Sequence, residues 1–360
     1  MLQFIEKKPE RGAIQKGLTH ENNFDILRLI AALQVVADHY IRHFGLIQID
    51  SFSLLHQAIA VFPGVSVFFF ISGYLVTASA ESNVATPRKY FVSRALRIFP
   101  ALWVCTGLTA ISLGVIGQLA DVPLPSLLLW LFQQVTIFQF INPDYFRDFA
   151  TGVINGSLWT IPVEITFYVV VFYFSKFAFG ISRLWKTLIV VILSALSYAV
   201  YLYCAQRGGL MEKILYNSIA AHFWRFGFGM IAFYFRTDAI LLSRNFLPVS
   251  LGLILILAIE PSGIARAAIV DLPALHTLLL SVVTIGCAYT LPALSQSILH
   301  GNDVSYGVYI YHMPIGNLFI YYHLNSVSLT LTAAAATLAI ATLSWILVEK
   351  PALGLKKRFS

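Results

Sequence analysis

Charge is what this sequence has least of. Of its 360 residues, 11% are Asp, Glu, Lys or Arg, where a soluble domain carries about a quarter. Cysteine is scarce too: Cys105, Cys204 and Cys287 stand alone in apolar runs. Without CxxC or CxH spacing they support neither a disulfide framework nor a metal knuckle. Glycine-rich phosphate loops, HExxH, GxSxG and carboxylates at metal-ligand spacing are all missing. That excludes the parts of a nucleotidase, a zinc protease or an α/β-hydrolase, and no metal is expected. What fills the chain instead is apolar: 58% hydrophobic and 14% aromatic residues, with a mean hydropathy of +0.77. Such a composition belongs to polytopic membrane proteins. A net charge of +7 would suit nucleic acid, but the cations gather at the ends of hydrophobic runs, as membrane proteins mark their cytoplasmic side. The expected partner is a lipid bilayer and not nucleic acid.

A helix needs about 20 apolar residues to cross a bilayer. Runs near 24–46, 54–80, 98–119, 158–177, 184–204, 216–235, 246–260, 273–296, 303–323 and 328–348 qualify as candidates, with 125–142 ambiguous because Gln133 and Gln134 interrupt it. If 125–142 does not cross and the N-terminus is cytoplasmic, the inner side collects Lys7, Lys8, Arg11, Lys16, Arg28, Arg88, Lys89, Arg94, Arg97, Lys176, Arg183, Lys186, Arg236, Arg244, Lys350, Lys356, Lys357 and Arg358. These are 18 of the 24 cations. If it does cross, the split falls to 13 against 10, with mid-span Arg225 set aside. The positive-inside rule therefore predicts an all-α bundle of ten spans with both termini cytoplasmic. Residues 1–21 read as a cytoplasmic tail without the apolar core of a signal peptide, 22–352 as one membrane domain, and 353–360 as a basic tail.

Ionisable residues inside spans mark functional sites by default. Arg28 and His39 lie eleven residues apart on the first run, which is about 20° past three full turns and roughly 16 Å of rise. They share one face, Arg28 at the inner mouth and His39 nearer the outer side. Taken singly, Arg28 could be a snorkelling cation and His39 a packing hydrogen-bond partner. Glu164 in SLWTIPVEITFY falls at the same depth as His39, where a carboxylate could orient the imidazole and raise its basicity. Asp38 points about 100° away from His39 and is the poorer partner. Arg94 and Arg97 are one turn apart in RKYFVSRALRIFP. They either mark orientation, bind anionic lipid or clamp a phosphorylated ligand through guanidinium forks. SYGVYIYHMPI buries Tyr306, Tyr309, Tyr311 and His312 in mid-span, and Arg225 must face the bundle interior.

These motifs resemble the membrane acyltransferase-3 family, the multi-pass O-acetylases of bacterial surface polysaccharides. The likeness runs from residue 22 to 352 through Arg28-x10-His39, FPGVSVFFFISGYLVT (62–77), FVSRALRIFPALW (91–103), SLWTIPVEITFY (157–168), VSYGVYIYHMPI (304–315) and LVEKP (347–351). One departure is Ile165, which follows Glu164 where the family usually has an acidic or polar residue. The resemblance implies an acyltransferase of the bacterial inner membrane, with cytoplasmic acetyl-CoA or another acyl-CoA as donor. The acceptor would be a polysaccharide or a lipid-linked sugar. It further implies His39 as catalytic residue and Arg94 and Arg97 on the donor, to which the spacing adds Arg28 on the donor phosphates and the matching depth adds Glu164 beside His39. Tyr306, His312 and Trp159 would contact substrate. An acyltransferase acting on a small molecule, or a transporter, would also place charge in mid-membrane, although no internal repeat supports the transporter.

Overall fold

A computed structural model describes residues 22–139, 141–207, 209–259, 272–290, 293–324 and 326–359. The tail expected over residues 1–21 lies outside them. Every regular element among the described residues is helical. The first, α1 (Phe24–His43), opens with Asp25 and closes with Arg42 and His43, charges that complement the helix dipole. Gly45 ends it in the left-handed conformation at φ 73°, donating its N–H to the Arg42 carbonyl at 3.2 Å. There follow α2 (Asp50–Ala60), α3 (Gly64–Ser82), α4 (Pro87–Val115), α5 (Leu124–Val135), α6 (Thr160–Phe177) and α7 (Arg183–Ala205). The chain continues through α8 (Ile219–Tyr234), α9 (Arg236–Ile259), α10 (Pro273–Thr290), α11 (Ser305–Tyr321) and α12 (Val327–Ser344). A π-helical turn, Trp345–Glu349, leads from α12 into the C-terminal segment.

Each of the ten expected runs contains a helix, and seven stretches are long and apolar enough to cross a membrane: Asp50–Ser82, Pro87–Val115, Gly156–Phe177, Arg183–Ala205, Arg236–Ile259, Pro273–Thr290 and Val327–Gly354. The other three expected spans, α1, α8 and α11, fall short in length or apolarity. They carry Arg28 and His39, Arg225, and His312 respectively, and each is held among other helices. A helix wrapped in protein need not be apolar all round. Helix α5, at 12 residues, rises about 18 Å, short of a hydrocarbon core of about 30 Å, and is not among the seven stretches long enough to cross.

Close helix contacts set the interior. A Cβ on Gly73 of α3 would meet the Phe226 carbonyl oxygen of α8 at 2.2 Å, and one on Gly229 would meet the Phe70 oxygen at 2.2 Å. The two backbones touch where neither residue has a side chain, as small residues allow in membrane bundles. Leu184, Leu188, Ile192 and Leu196 on α7 stay exposed, the composition of a lipid-facing surface.

Candidate active site

The amino end of α1 and the starts of α4 and α11 lie at what we call the basic end of the bundle; the carboxyl end of α1 and the start of α6 lie at the far end. A cavity of about 480 Å³ lies among these helices. Its lining brings together Arg28 of α1, Arg94 and Arg97 of α4, Glu164 of α6 and Tyr306 of α11. Three arginines from two helices thus line one cavity, Arg94 and Arg97 from one turn of the same helix.

Asp303, just before α11, was not singled out from sequence. It binds Arg97 and sits 3.5 Å from Arg28 Nη1, with its side chain 8% exposed. An aspartate in a short connection carries no periodic signal; the DVS pattern ahead of an apolar helix hints only at a cap, and Asp303 does accept the Ser305 N–H at 3.1 Å. Arg94 differs from its neighbours. It lies over the Tyr168 ring at 5.5 Å and the Tyr90 ring at 5.9 Å, and its buried Nε has no hydrogen-bond partner. A buried, unsatisfied guanidinium N–H is costly and is suited to an anion.

Along α3 the lining runs from Val76 to Val65, eleven residues or about 16 Å of rise. Toward the far end the lining includes Thr160 and Tyr309. There Thr160 Oγ1 lies 3.0 Å from the Tyr309 hydroxyl, which donates to the Ser157 carbonyl at 3.0 Å. The Gly64 N–H donates to Gln34 Oε1 at 2.7 Å, so α3 begins level with Gln34. That is five residues short of His39 on α1, about 7 Å. His39 is not part of the lining.

His39 pairs with His312 instead: Nδ1 of the first and Nε2 of the second are 2.8 Å apart. The His39–Glu164 pair expected from matching depth is not formed. Glu164 accepts from the Tyr168 hydroxyl and, at 3.4 Å, from Ser72 Oγ. Depth along two helices says nothing of the direction each faces, and α11 lies against α1 where α6 was expected.

The ring chemistry of the histidine pair follows from one carbonyl. Nδ1 of His312 is 2.7 Å from the Tyr309 backbone oxygen, which can only accept, so this nitrogen carries hydrogen. In the neutral ring Nε2 is then an acceptor. His39 must donate to it from Nδ1, which leaves the lone pair of a neutral His39 on Nε2. His312 is fully buried and has both nitrogens engaged, so it positions His39 and offers no ring nitrogen to a substrate. Tyr40 braces the pair, its hydroxyl donating to the His312 carbonyl at 2.9 Å.

Pro314 explains how α11 is tied to the SLWT turn. Lacking an N–H, it leaves the Ile310 carbonyl without its helical partner. Asn155 Nδ2 takes that carbonyl at 2.8 Å, and Cys105 Sγ approaches it at 3.4 Å. Tyr306 donates its hydroxyl to the Ile98 carbonyl at 3.1 Å. Trp159 falls elsewhere, against His222 at a ring separation of 5.0 Å and Phe69 at 6.3 Å. Arg225 does face the interior, bonded to Ser66 Oγ at 3.2 Å and His222 Nδ1 at 2.6 Å and lying over Trp224 at 4.2 Å. Asp38 turns away from His39 to Arg42 and to His56 Nε2 at 2.9 Å.

A family model described as an acyltransferase domain matches residues 21–349. The chain belongs to the acyltransferase-3 family. It is 32% identical to "Nodulation protein 10" of Rhizobium leguminosarum bv. viciae, over 94% of both chains. It is 28% identical to the "O-acetyl transferase" of Shigella phage Sf6, over 92% of this chain and 96% of that one. A shorter match, 36% over 30% of this chain and 32% of the other, is to the "Exopolysaccharide production protein ExoZ" of Rhizobium meliloti. No solved structure matches. The protein is an O-acyltransferase and a multi-pass membrane protein.

Proposed function

We propose that this acyltransferase moves an acyl group, acetyl in the simplest case, from acyl-CoA to a hydroxyl of an exported polysaccharide or of its lipid-linked precursor. The acceptor class is supported by the relatives named for O-acetyl transfer and exopolysaccharide production. The single observation that carries the donor is the cavity that gathers Arg28, Arg94 and Arg97 with Tyr309, the residue whose carbonyl holds His312. Paired guanidiniums fit a diphosphate in bidentate fashion, and the reach along α3 suits an extended pantetheine arm. The basic end is the cytoplasmic face of a bacterial inner membrane on this reading, supported by the distribution of 18 of 24 cations.

His39 serves as the general base. Its Nε2 takes the hydroxyl proton as the sugar oxygen attacks the thioester carbonyl. The tetrahedral adduct then collapses, the C–S bond breaks, and the leaving thiolate receives the proton from His39, giving the ester and free thiol. His312 and the Tyr309 carbonyl hold the tautomer that makes this possible. Tyr309 and Thr160 line the cavity and His39 does not, so on this reading the acyl group reaches His39 past these two side chains. Glu164 stays on the donor side, hydrogen-bonded to Tyr168. Proteoliposomes given labelled acetyl-CoA and acceptor glycan test the proposal: label on the glycan supports it, and label on a soluble product alone removes the glycan. Incubation without acceptor leaves no acyl group on His39 if it is a base; a labelled imidazole would make it a nucleophile.

A further inference from the structure

A second cavity, of about 230 Å³, adjoins the first at the basic end. It is lined by Ser79 and Asn83 of α3, by Lys89, Tyr90, Val92 and Ser93 of α4, and by Lys356 of the C-terminal segment. Ser93 and Lys356 line both cavities. The two are therefore compartments of one recess, with Arg94 and Arg97 in the inner one. Among the described residues, the lining of the outer compartment includes two lysines and no Asp or Glu. Glu81, an acid of the same α3 segment, is held by Lys186 at 2.7 Å. Asn83 and Ser79 are hydrogen-bonded to each other, Asn83 Nδ2 donating to the Ser79 carbonyl at 2.8 Å.

We propose that this outer compartment binds the phosphorylated ribose of the donor nucleotide, with Lys89 and Lys356 on its 3′-phosphate. The inference rests on the acyl-CoA reading above and deepens it. If the diphosphate sits at the arginines and the acyl arm runs inward toward Tyr309, the nucleoside must run outward, and this compartment shares two lining residues with the diphosphate site. The chemistry agrees. Compact ammonium groups serve as point charges for a phosphate monoester, whereas the arginine forks match paired oxygens. The Lys356 ammonium, pushed down to about 8 by burial and by the adjacent Arg94 and Arg97, gains from any dianion placed against it.

The test compares acetyl-CoA with acetyl-3′-dephospho-CoA in neutral-lipid nanodiscs, using wild type, Lys89→Gln, Lys356→Gln and the double variant. Wild type should show kcat/KM lower by about tenfold or more for the dephosphorylated donor, the scale of a charged hydrogen bond. The double variant should lose that much with acetyl-CoA and treat the two donors alike, while its melting temperature holds. Equal use of both donors by wild type overturns the phosphate subsite and leaves the acyl-CoA reading intact. Retained discrimination in the double variant also overturns it, since the phosphate then sits elsewhere. An effect of the lysines seen only when anionic lipid is added assigns them to headgroups. Wild type that turns over neither donor overturns this inference together with the reading beneath it.

Discussion

Replacing His312 by leucine isolates the carbonyl-to-histidine relay. In wild type the His39 Nδ1 proton has an acceptor 2.8 Å away in a ring whose other nitrogen is fixed by the Tyr309 carbonyl at 2.7 Å. Leucine removes both bonds, leaves the His39 Nδ1–H unsatisfied and frees the ring to carry its proton on Nε2, where it cannot act as base. An unsatisfied buried donor costs about 1–3 kcal/mol, so kcat should fall about 10- to 100-fold. Donor KM should hold, because the arginine cavity is untouched. His312→Gln is the informative companion. Its amide oxygen can accept from His39 and its NH₂ can donate to Tyr309, so it should recover most of the loss. The assay is steady-state transfer in proteoliposomes with donor and acceptor varied separately, alongside thermal unfolding of each variant. Wild-type kcat in His312→Leu would refute the relay. A raised acceptor KM with unchanged kcat would refute it as well, because His312 would then be touching substrate.

Further outcomes follow from the same geometry. His39→Ala should abolish transfer in a folded, membrane-inserted protein, and His39→Gln should not rescue it, since an amide accepts no proton near neutral pH; endpoint labelling of acceptor checks both. Arg94→Ala should weaken acyl-CoA binding about tenfold or more, measured by calorimetry, with no loss of melting temperature because it removes an unpartnered buried Nε. Asp303→Asn leaves Arg28 and Arg97 without their shared counter-ion, a change worth about 3–5 kcal/mol for a buried pair; the unliganded melting temperature should drop and acyl-CoA should restore more of it than it adds to wild type. Lys356 is charged below about pH 8 and loses its proton as pH rises through that value. Donor KM should therefore climb above pH 8 in wild type and stay flat over that limb in Lys356→Gln, read from KM measured between pH 6 and 9.5.

The helical frame was legible because burial in a bilayer imposes long apolar runs, and each of the ten runs holds a helix. Which of them face lipid was less legible. α1, α8 and α11 were counted as spans equal to the rest, yet their polar residues mark them as interior helices. The one-face spacing of Arg28 and His39, and of Arg94 and Arg97, is a local property of a helix, so sequence could place the three arginines toward a common site. The partner of His39 is not local. It stands 273 residues away in the chain, and the depth argument that paired His39 with Glu164 could not tell which helix abuts α1. Asp303 escaped for the opposite reason, since it belongs to no periodic element at all.

Tyr309 joins what those readings left separate. Its hydroxyl bonds to Thr160 and the Ser157 carbonyl beside the cavity, and its backbone oxygen accepts from the His312 ring that pairs with His39. Pro314, one turn beyond, frees the neighbouring Ile310 carbonyl to hold Asn155, so the SLWT turn and α11 cannot shift independently. Any movement that draws Tyr309 away from Thr160 to admit a thioester therefore acts on the same residue that sets the tautomer of the base. On the proposed reading, the residue that lines the donor cavity and the residue whose carbonyl holds the His312 ring are one and the same.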